Sequence, residues 1–418
     1  MACFTNLPHS IIRTICLYIS DCRAFGLVSR ACVEPARSVL FDTISITFYD
    51  TRDLGNAALA WAERLELVKS FQHVRTLRIV DEDTHPPIEM FHECGDVLSE
   101  KWQYLPDDHP DRIVDEAPGW QALAELLSRL PRLKDLVYAG PLQLHPCVVQ
   151  CLEDILPTCR LHLETFCLRS LLCSPHQQID FDPYENKLAT HPQLHSVKIA
   201  RFDEYDDGVF DFHLDALSDM VRGLAPNLRI VSLLREKPGS SPQLLRTKAQ
   251  TRLRWTGSEL GSLPSEYHGN LTSLELAGPG SATLAALQRW SEVTTLSRLE
   301  ELRLHECIGT DTVDWLSTSC SLARVSKLTI HPASGQIAGL FRTIGNLTEL
   351  KLVGNFDNEQ IYGVLRRHGT SPKHLSIIPS FVHSTSAADM AETIARLCPG
   401  LTKYIAHVSH VPMARRKK

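Results

Sequence analysis

Leu299-Glu300-Glu301-Leu302-Arg303-Leu304-His305-Glu306-Cys307 and Leu347-Thr348-Glu349-Leu350-Lys351-Leu352-Val353-Gly354-Asn355 are the two stretches that decide the fold of this chain. Each runs apolar, two variable residues, apolar, polar, apolar, and closes three positions later on Cys or Asn. In an extended strand alternate side chains share a face. The last two apolar residues of each copy therefore point to one side, and the polar residue between them points to the other. The same triplet starts at Phe41, Val74, Leu133, Leu163, Leu194, Leu228, Leu271, Leu299, Val325, Leu347 and Leu401, with a degenerate copy at Pro372-x-x-Leu375-x-Ile377. From Leu271 to Leu401 successive starts, counting that copy, lie 28, 26, 22, 25 and 29 residues apart. The earlier intervals are irregular, at 33, 59, 30, 31, 34 and 43 residues.

In a chain that is 43% hydrophobic the bare triplet recurs by chance, so its context carries the reading. Helix-like stretches precede most copies, as at Trp120 to Leu130, Leu214 to Leu224 and Ala387 to Leu397, and a Pro or Asn marks the join. Helix, turn, short strand and turn again is the rhythm of a parallel-strand solenoid. The spacing and the fuller pattern of the two opening copies resemble leucine-rich repeats, whose period is roughly 20–29 residues. The resemblance implies an α/β chain with parallel strands lining one face and helices on the other. The outward row between core positions then reads Arg78, Val137, Cys167, Lys198, Ser232, Glu275, Arg303, Thr329, Lys351 and Ser376. It is mixed in charge and poor in aromatics, and Arg78, Lys198, Glu275, Arg303 and Lys351 are its candidates for holding a protein target.

The amino end is built differently. Leu7-Pro8 is followed by Ile11, Ile12, Ile15 and Ile19, which fall on one helical stripe, with Pro at a helix start. A second apolar patch, Phe25-Gly26-Leu27-Val28-Ser29-Arg30, follows, then Pro35-Ala36-Arg37-Ser38-Val39-Leu40-Phe41. So short a stretch cannot enclose both patches by itself, which leaves surface for another protein. These pieces, in this order, resemble an F-box, most closely those of mushroom-forming fungi. Three features differ from that family's usual pattern: Ser10 stands in place of an acidic residue, Cys32 stands in place of an aromatic one, and the link between the two helices, Ser20 to Ala24, is short. The resemblance implies a small all-α head, residues 1–46, that binds the Skp-type adaptor of a cullin–RING ubiquitin ligase. Leu7, Pro8, Ile11, Ile12, Ile15, Leu27 and Val28 are the adaptor-binding candidates. Residues 47–418 would form the solenoid that holds an unknown protein target. The alternative is an interaction scaffold without a ligase role, its head acting only as a cap on the solenoid.

Composition narrows the remaining choices. Charged residues make up 22% of the chain and the formal charge is −6, which gives no reason to expect nucleic acid as the main ligand. No apolar run approaches the ~18 residues of a membrane span, and no basic-then-apolar leader opens the sequence. Membrane association and a signal peptide are not expected. Thirteen cysteines without a CxxC pair point to reduced thiols, in the cytoplasm or the nucleus. The longest interval holds an acidic insertion at 81–118, with twelve carboxylates against Lys101 and Arg112. This is read as a solvated loop, or alternatively as a contact for a basic partner. A basic connection from Arg235 to Arg254 precedes Trp255, and Arg415-Arg416-Lys417-Lys418 ends the chain; both are read first as solvated charge. There is no Gly-rich phosphate loop, GxSxG or HExxH motif. The triplets His92-Glu93-Cys94 and His305-Glu306-Cys307 point adjacent side chains to opposite faces, and Cys307 is expected in the core. No catalytic residue, metal or cofactor is expected.

Overall fold

The computed structural model describes residues 7–19, 21–81, 117–140, 143–166, 168, 172–173, 183–201, 210–235, 268–278, 280–333, 337–354, 356, 358–369, 371–378 and 387–406. Outside them lie nearly all of the acidic insertion, the basic connection beyond Arg235, the terminal basic run, His92-Glu93-Cys94, Cys167 and Asn355. The described residues fall into two compact units. One is drawn from Met1–Pro86, Lys101–Cys167 and Pro183–Val197, the other from Pro87–Glu100, Leu168–Asp182 and Lys198–Lys418.

Three short helices open the first unit: α1 His9–Tyr18, α2 Cys22–Gly26 and α3 Arg30–Leu40. Each starts where the sequence supplies an acceptor. The Pro8 carbonyl takes the amides of Ile11 and Ile12 at 3.0 and 3.2 Å. Asp21 Oδ1 accepts from Ala24 N at 2.9 Å, and Ser29 Oγ accepts from Ala31 N at 3.1 Å. Such caps satisfy the amides a helix start leaves open. The helices close on a core of Ile12, Cys16, Cys22, Cys32 and Ala36, with Phe25 and Val39 against it. Cys32 is fully enclosed there, so the departure from an aromatic suits a small core. Arg13 pairs with Asp42 at 3.0 Å and Glu34 with His73 at 2.8 Å, tying this head to the first strand and turn.

The strands of this unit are β1 Thr43–Phe48, β2 Thr76–Asp81, β3 Asp135–Ala139 and β4 Arg160–Leu163. The second unit contributes a short antiparallel pair, with β5 Leu172–Cys173 against a later strand. β6 Leu194–Arg201 pairs with β4 in the first unit, and β7 Phe210–Asp211 is the partner of β5. β1, β2, β3, β4 and β6 are parallel neighbours, in register Ser45, Arg78, Val137, His162 and Ser196. Parallel neighbours need a crossover, and α4 Thr51–Val68, α5 Ala117–Ser128 and α6 Pro146–Ile155 lie between them in sequence.

The second unit continues the pattern with β8 Ile230–Arg235, β9 Ser273–Ala277, β10 Glu301–Ile308, β11 Lys327–Pro332, β12 Glu349–Val353, β13 His374–Ile378 and β14 Lys403–Ala406. All are parallel to their ladder neighbours, and the chain is α/β with the repeat architecture the triplets imply. Val231, Leu274, Leu302, Leu328, Leu350 and Leu375 align across the strands and are buried. One joint recurs at each turn. The Thr272 carbonyl accepts from Glu300 N and Glu301 N at 2.8 and 3.0 Å, and the Glu300 carbonyl accepts from Ser326 N and Lys327 N at 2.8 and 3.1 Å. Arg229, Ser326, Thr348 and Lys373 repeat it.

Two local expectations are corrected. The triplet at Leu163 is not a strand start; β4 ends there, and its core pair is Leu161 and Leu163, opposite Leu136 and Tyr138. Cys159, 1% exposed, fills the leading apolar position with one loop residue fewer than in other copies. The outward residue of β4 is His162, the ladder partner of Val137. Cys307 is exposed rather than in the core, because the register with β11 breaks between Arg303 and Cys307 and hands the buried position to Ile308.

Candidate functional site

The head presents apolar side chains that its own helices do not cover. Ile11, Ile15 and Tyr18 follow one side of α1, while Ile12 and Cys16 follow the side that meets α3, as residues three and four apart on a helix share a face. Ile11 is 47% exposed, Tyr18 87%, Leu27 86% and Val28 63%. Leu7, Pro8 and Leu17 are exposed as well, and Ile15 is half-buried. Leu27 and Val28 sit in the turn between α2 and α3. Ile12 is 2% exposed and belongs to the core. Of the seven sequence candidates, Leu7, Pro8, Ile11, Leu27 and Val28 therefore lie open to a partner, Ile15 in part, and Ile12 supports them from beneath. Leu17 and Tyr18 join the exposed set; only the turn of the helix relative to its core reveals them.

The second surface is the outward face of the strands. In the second unit Ser232, Glu275, Arg303, Thr329, Lys351 and Ser376 are successive ladder partners. Glu275 is the centre of this row. Its Oε1 meets His305 Nε2 at 2.8 Å, its Oε2 accepts from Ser232 Oγ at 2.8 Å, and Arg303 Nη1 lies 3.9 Å away. Burial pushes its carboxyl up, but the His305, Ser232 and Arg303 contacts outweigh that and hold it at about 2. Arg303 also contacts Glu301 at 2.5 Å, and Ser273 Oγ donates to Glu301 Oε2 at 3.0 Å. Lys351 is half-buried two strands from Arg303. His305 and Glu301 are the members that sequence reading missed. The pairs are cross-strand contacts that no local spacing displays.

The first unit carries a parallel arrangement. Arg160 donates through Nε and Nη2 to both oxygens of Asp135 at 2.7 and 2.8 Å, and His162 Nε2 lies 2.9 Å from Asp135 Oδ1. Burial opposes the charge on Asp135, yet the Arg160 and His162 bonds leave its carboxyl below the usual range. Arg78 pairs with Glu164 at 3.4 Å. Lys198, two residues beyond Ser196 on β6, is half-buried on the same side of that strand, in the part of β6 that belongs to the second unit. Within the second unit, Glu275 and Arg303 are brought together, and Lys351 lies two strands on along the same row.

Chemically, both faces are suited to recognition. Charges on the strand face are held by neighbours in fixed directions, which favours a complementary, preorganised protein surface. Among the described residues no group of His, Cys, Asp and Glu is placed to hold a metal ion, and no helix is long and apolar enough to cross a membrane. Glu306, from the second His-Glu-Cys triplet, instead accepts the amides of Gly280 and Ala282 at 2.6 and 3.1 Å.

No family model matches the chain, and no curated protein matches it. Among solved structures it is similar to a chain of the "Crystal structure of Rad7 and Elc1 complex in yeast", with a TM-score of 0.41 and 12% identity over 91% of each chain.

Proposed function

We propose that this protein is a substrate receptor of a cullin–RING ubiquitin ligase. Its F-box-like head docks a Skp-type adaptor, and its repeats hold a protein target. The observation that carries the reading is the head's uncovered apolar surface, with Ile11, Tyr18, Leu27 and Val28 facing water above a core that is already closed. Each such side chain gains roughly 1.5–3 kcal/mol on full burial, so a partner that covers several of them is rewarded. The protein performs no chemistry itself; it raises the local concentration of target lysines near a carrier enzyme. Free thiols throughout the described residues fit work in the cytoplasm or nucleus.

The test is co-purification of the full chain with the adaptor. Ile11→Asp and Leu27→Asp leave the fold intact, by circular dichroism and thermal melting, and reduce adaptor binding at least tenfold. Ile12→Asp places a charge in the head core and lowers head stability by several kcal/mol, so it serves as the folding control. Wild-type protein that fails to retain the adaptor rejects the reading. A second reading, the head as a solenoid cap, is favoured by the Arg13–Asp42 and Glu34–His73 ties. In that case Ile11→Asp changes nothing measurable, and Arg13→Ala with Glu34→Ala loosens the first repeat.

A further inference from the structure

The geometry points to a phosphoryl-binding groove on the second unit, lined by Arg229, Arg298 and Arg324 at the turns that lead into β8, β10 and β11. The groove has a volume of roughly 530 Å³, enough for a phosphoryl group and the small residue or molecule that carries it. Its other principal residues are Asn270, Ser297 and Glu300.

The charges here are arranged differently from those on the strand face. There, Arg160 and Arg303 are matched by Asp135 and Glu301. In the groove, none of the three guanidinium groups is ion-paired among the described residues. Arg229 donates through Nη1 to the carbonyls of Pro226 and Leu228, at 3.0 and 2.9 Å, which fixes one edge of its guanidinium. Arg298 is steadied through Nη1 by Asn270 Oδ1. Both are held in place while most of their donors stay open. The main-chain oxygens of Arg229, Thr272 and Glu300, which would repel an anion, are each engaged by two amides of the next repeat.

The ligand chemistry follows from counting charge. Three guanidiniums and the Glu300 carboxylate sum to a formal +2. A phosphate monoester carries about −1.5 to −2 near neutral pH, with three acceptor oxygens. A carboxylate offers one charge and two oxygens, which a single arginine fork satisfies. The groove is thus matched to a dianionic phosphoryl group, carried either on a protein side chain or on a small free phosphate. This inference stands apart from the ligase reading, because it concerns the isolated chain and needs no adaptor.

The full chain is titrated by ³¹P NMR with N-acetyl-phosphoserine amide and with inorganic phosphate; calorimetry follows the N-acetyl-aspartyl amide control. Saturable one-to-one binding of a phosphoryl probe is expected, weakening with added salt. Arg298→Ala with Arg324→Ala, both at exposed positions, is expected to weaken it at least tenfold, and Glu300→Gln to strengthen it a few-fold, with circular dichroism unchanged. Tighter binding of the phosphoserine derivative assigns the source to a phosphorylated side chain; equal or tighter binding of inorganic phosphate assigns it to a free small phosphate. The inference is overturned if neither phosphoryl probe saturates, if the aspartyl control binds as tightly, or if the double variant binds like wild type.

Discussion

Glu275 shows how much one side chain on a repeat face can contribute. Its carboxyl is held at about 2, against an ordinary value of 4.5, by contacts from His305, Ser232 and Arg303 that exceed the cost of burial. A depressed carboxyl contributes stability that is fully present above its unfolded pKa and is lost as pH falls through the folded one. The window is therefore from about 4.5 down to about 2. Glu275→Gln is expected to lower stability at pH 7 by at most about 3 kcal/mol, and to flatten the acid limb of a urea-midpoint-against-pH profile across that window. A profile that keeps the wild-type slope would show that Glu275 does not carry it. The residue itself was legible in the sequence, as the polar position between Leu274 and Leu276. Its partner His305 was not. It lies one repeat away, and it is the parallel register of β9 with β10 that makes the two neighbours.

The contact between α4 and α5 depends on residues without side chains. A Cβ at Gly119 would lie 1.8 Å from the Thr51 carbonyl oxygen, and one at Gly55 would lie 2.9 Å from Gly119 Cα. Two backbones meet there, and neither can yield like a flexible side chain. Gly119→Ala is expected to lower stability by about 1–3 kcal/mol or more, seen as a fall in melting temperature. Gly363→Ala is the matched control. It lies in the helix Asn358–His368, its added Cβ meets nothing within 4 Å, and better helix propensity predicts no loss or a gain of up to ~1 kcal/mol. At this scale the triplets located most strands, because alternation over four residues is a local property. The degenerate copy at Pro372 is a true strand, β13, with Leu375 and Ile377 buried. The copy at Leu163 misled because Cys159 with Leu161 and Leu163 keeps the strand alternation while its loop is a residue shorter. A fixed-spacing pattern cannot follow that. Cys159 behaves as a core hydrophobe, its thiol pushed up to about 12 chiefly by burial.

As a whole, each unit is a series of neighbours. In such arrays stability is close to a sum of repeat and interface terms, so damage stays near its source. Leu302→Ala removes a residue that is 2% exposed, at an expected cost of about 2–5 kcal/mol. Amide exchange measured by mass spectrometry should accelerate most in β9, β10 and β11 and least in β1 and β2. A uniform loss of protection would contradict serial organisation. The helix–turn–strand rhythm made this architecture readable from sequence alone, whereas the paired charges and the arginine groove arise only when turns from separate repeats are brought side by side.

The shared carbonyl at each turn also has an evolutionary meaning. Because each joint from Arg229 to Lys373 gives one oxygen to two amides of the following copy, the segment from Leu299 to Arg324 begins and ends on equivalent chemistry. Excising it would let the Thr272 carbonyl receive Ser326 and Lys327 in place of Glu300 and Glu301. Gene duplication or loss of whole modules can thus lengthen or shorten such a chain without leaving a mismatched seam.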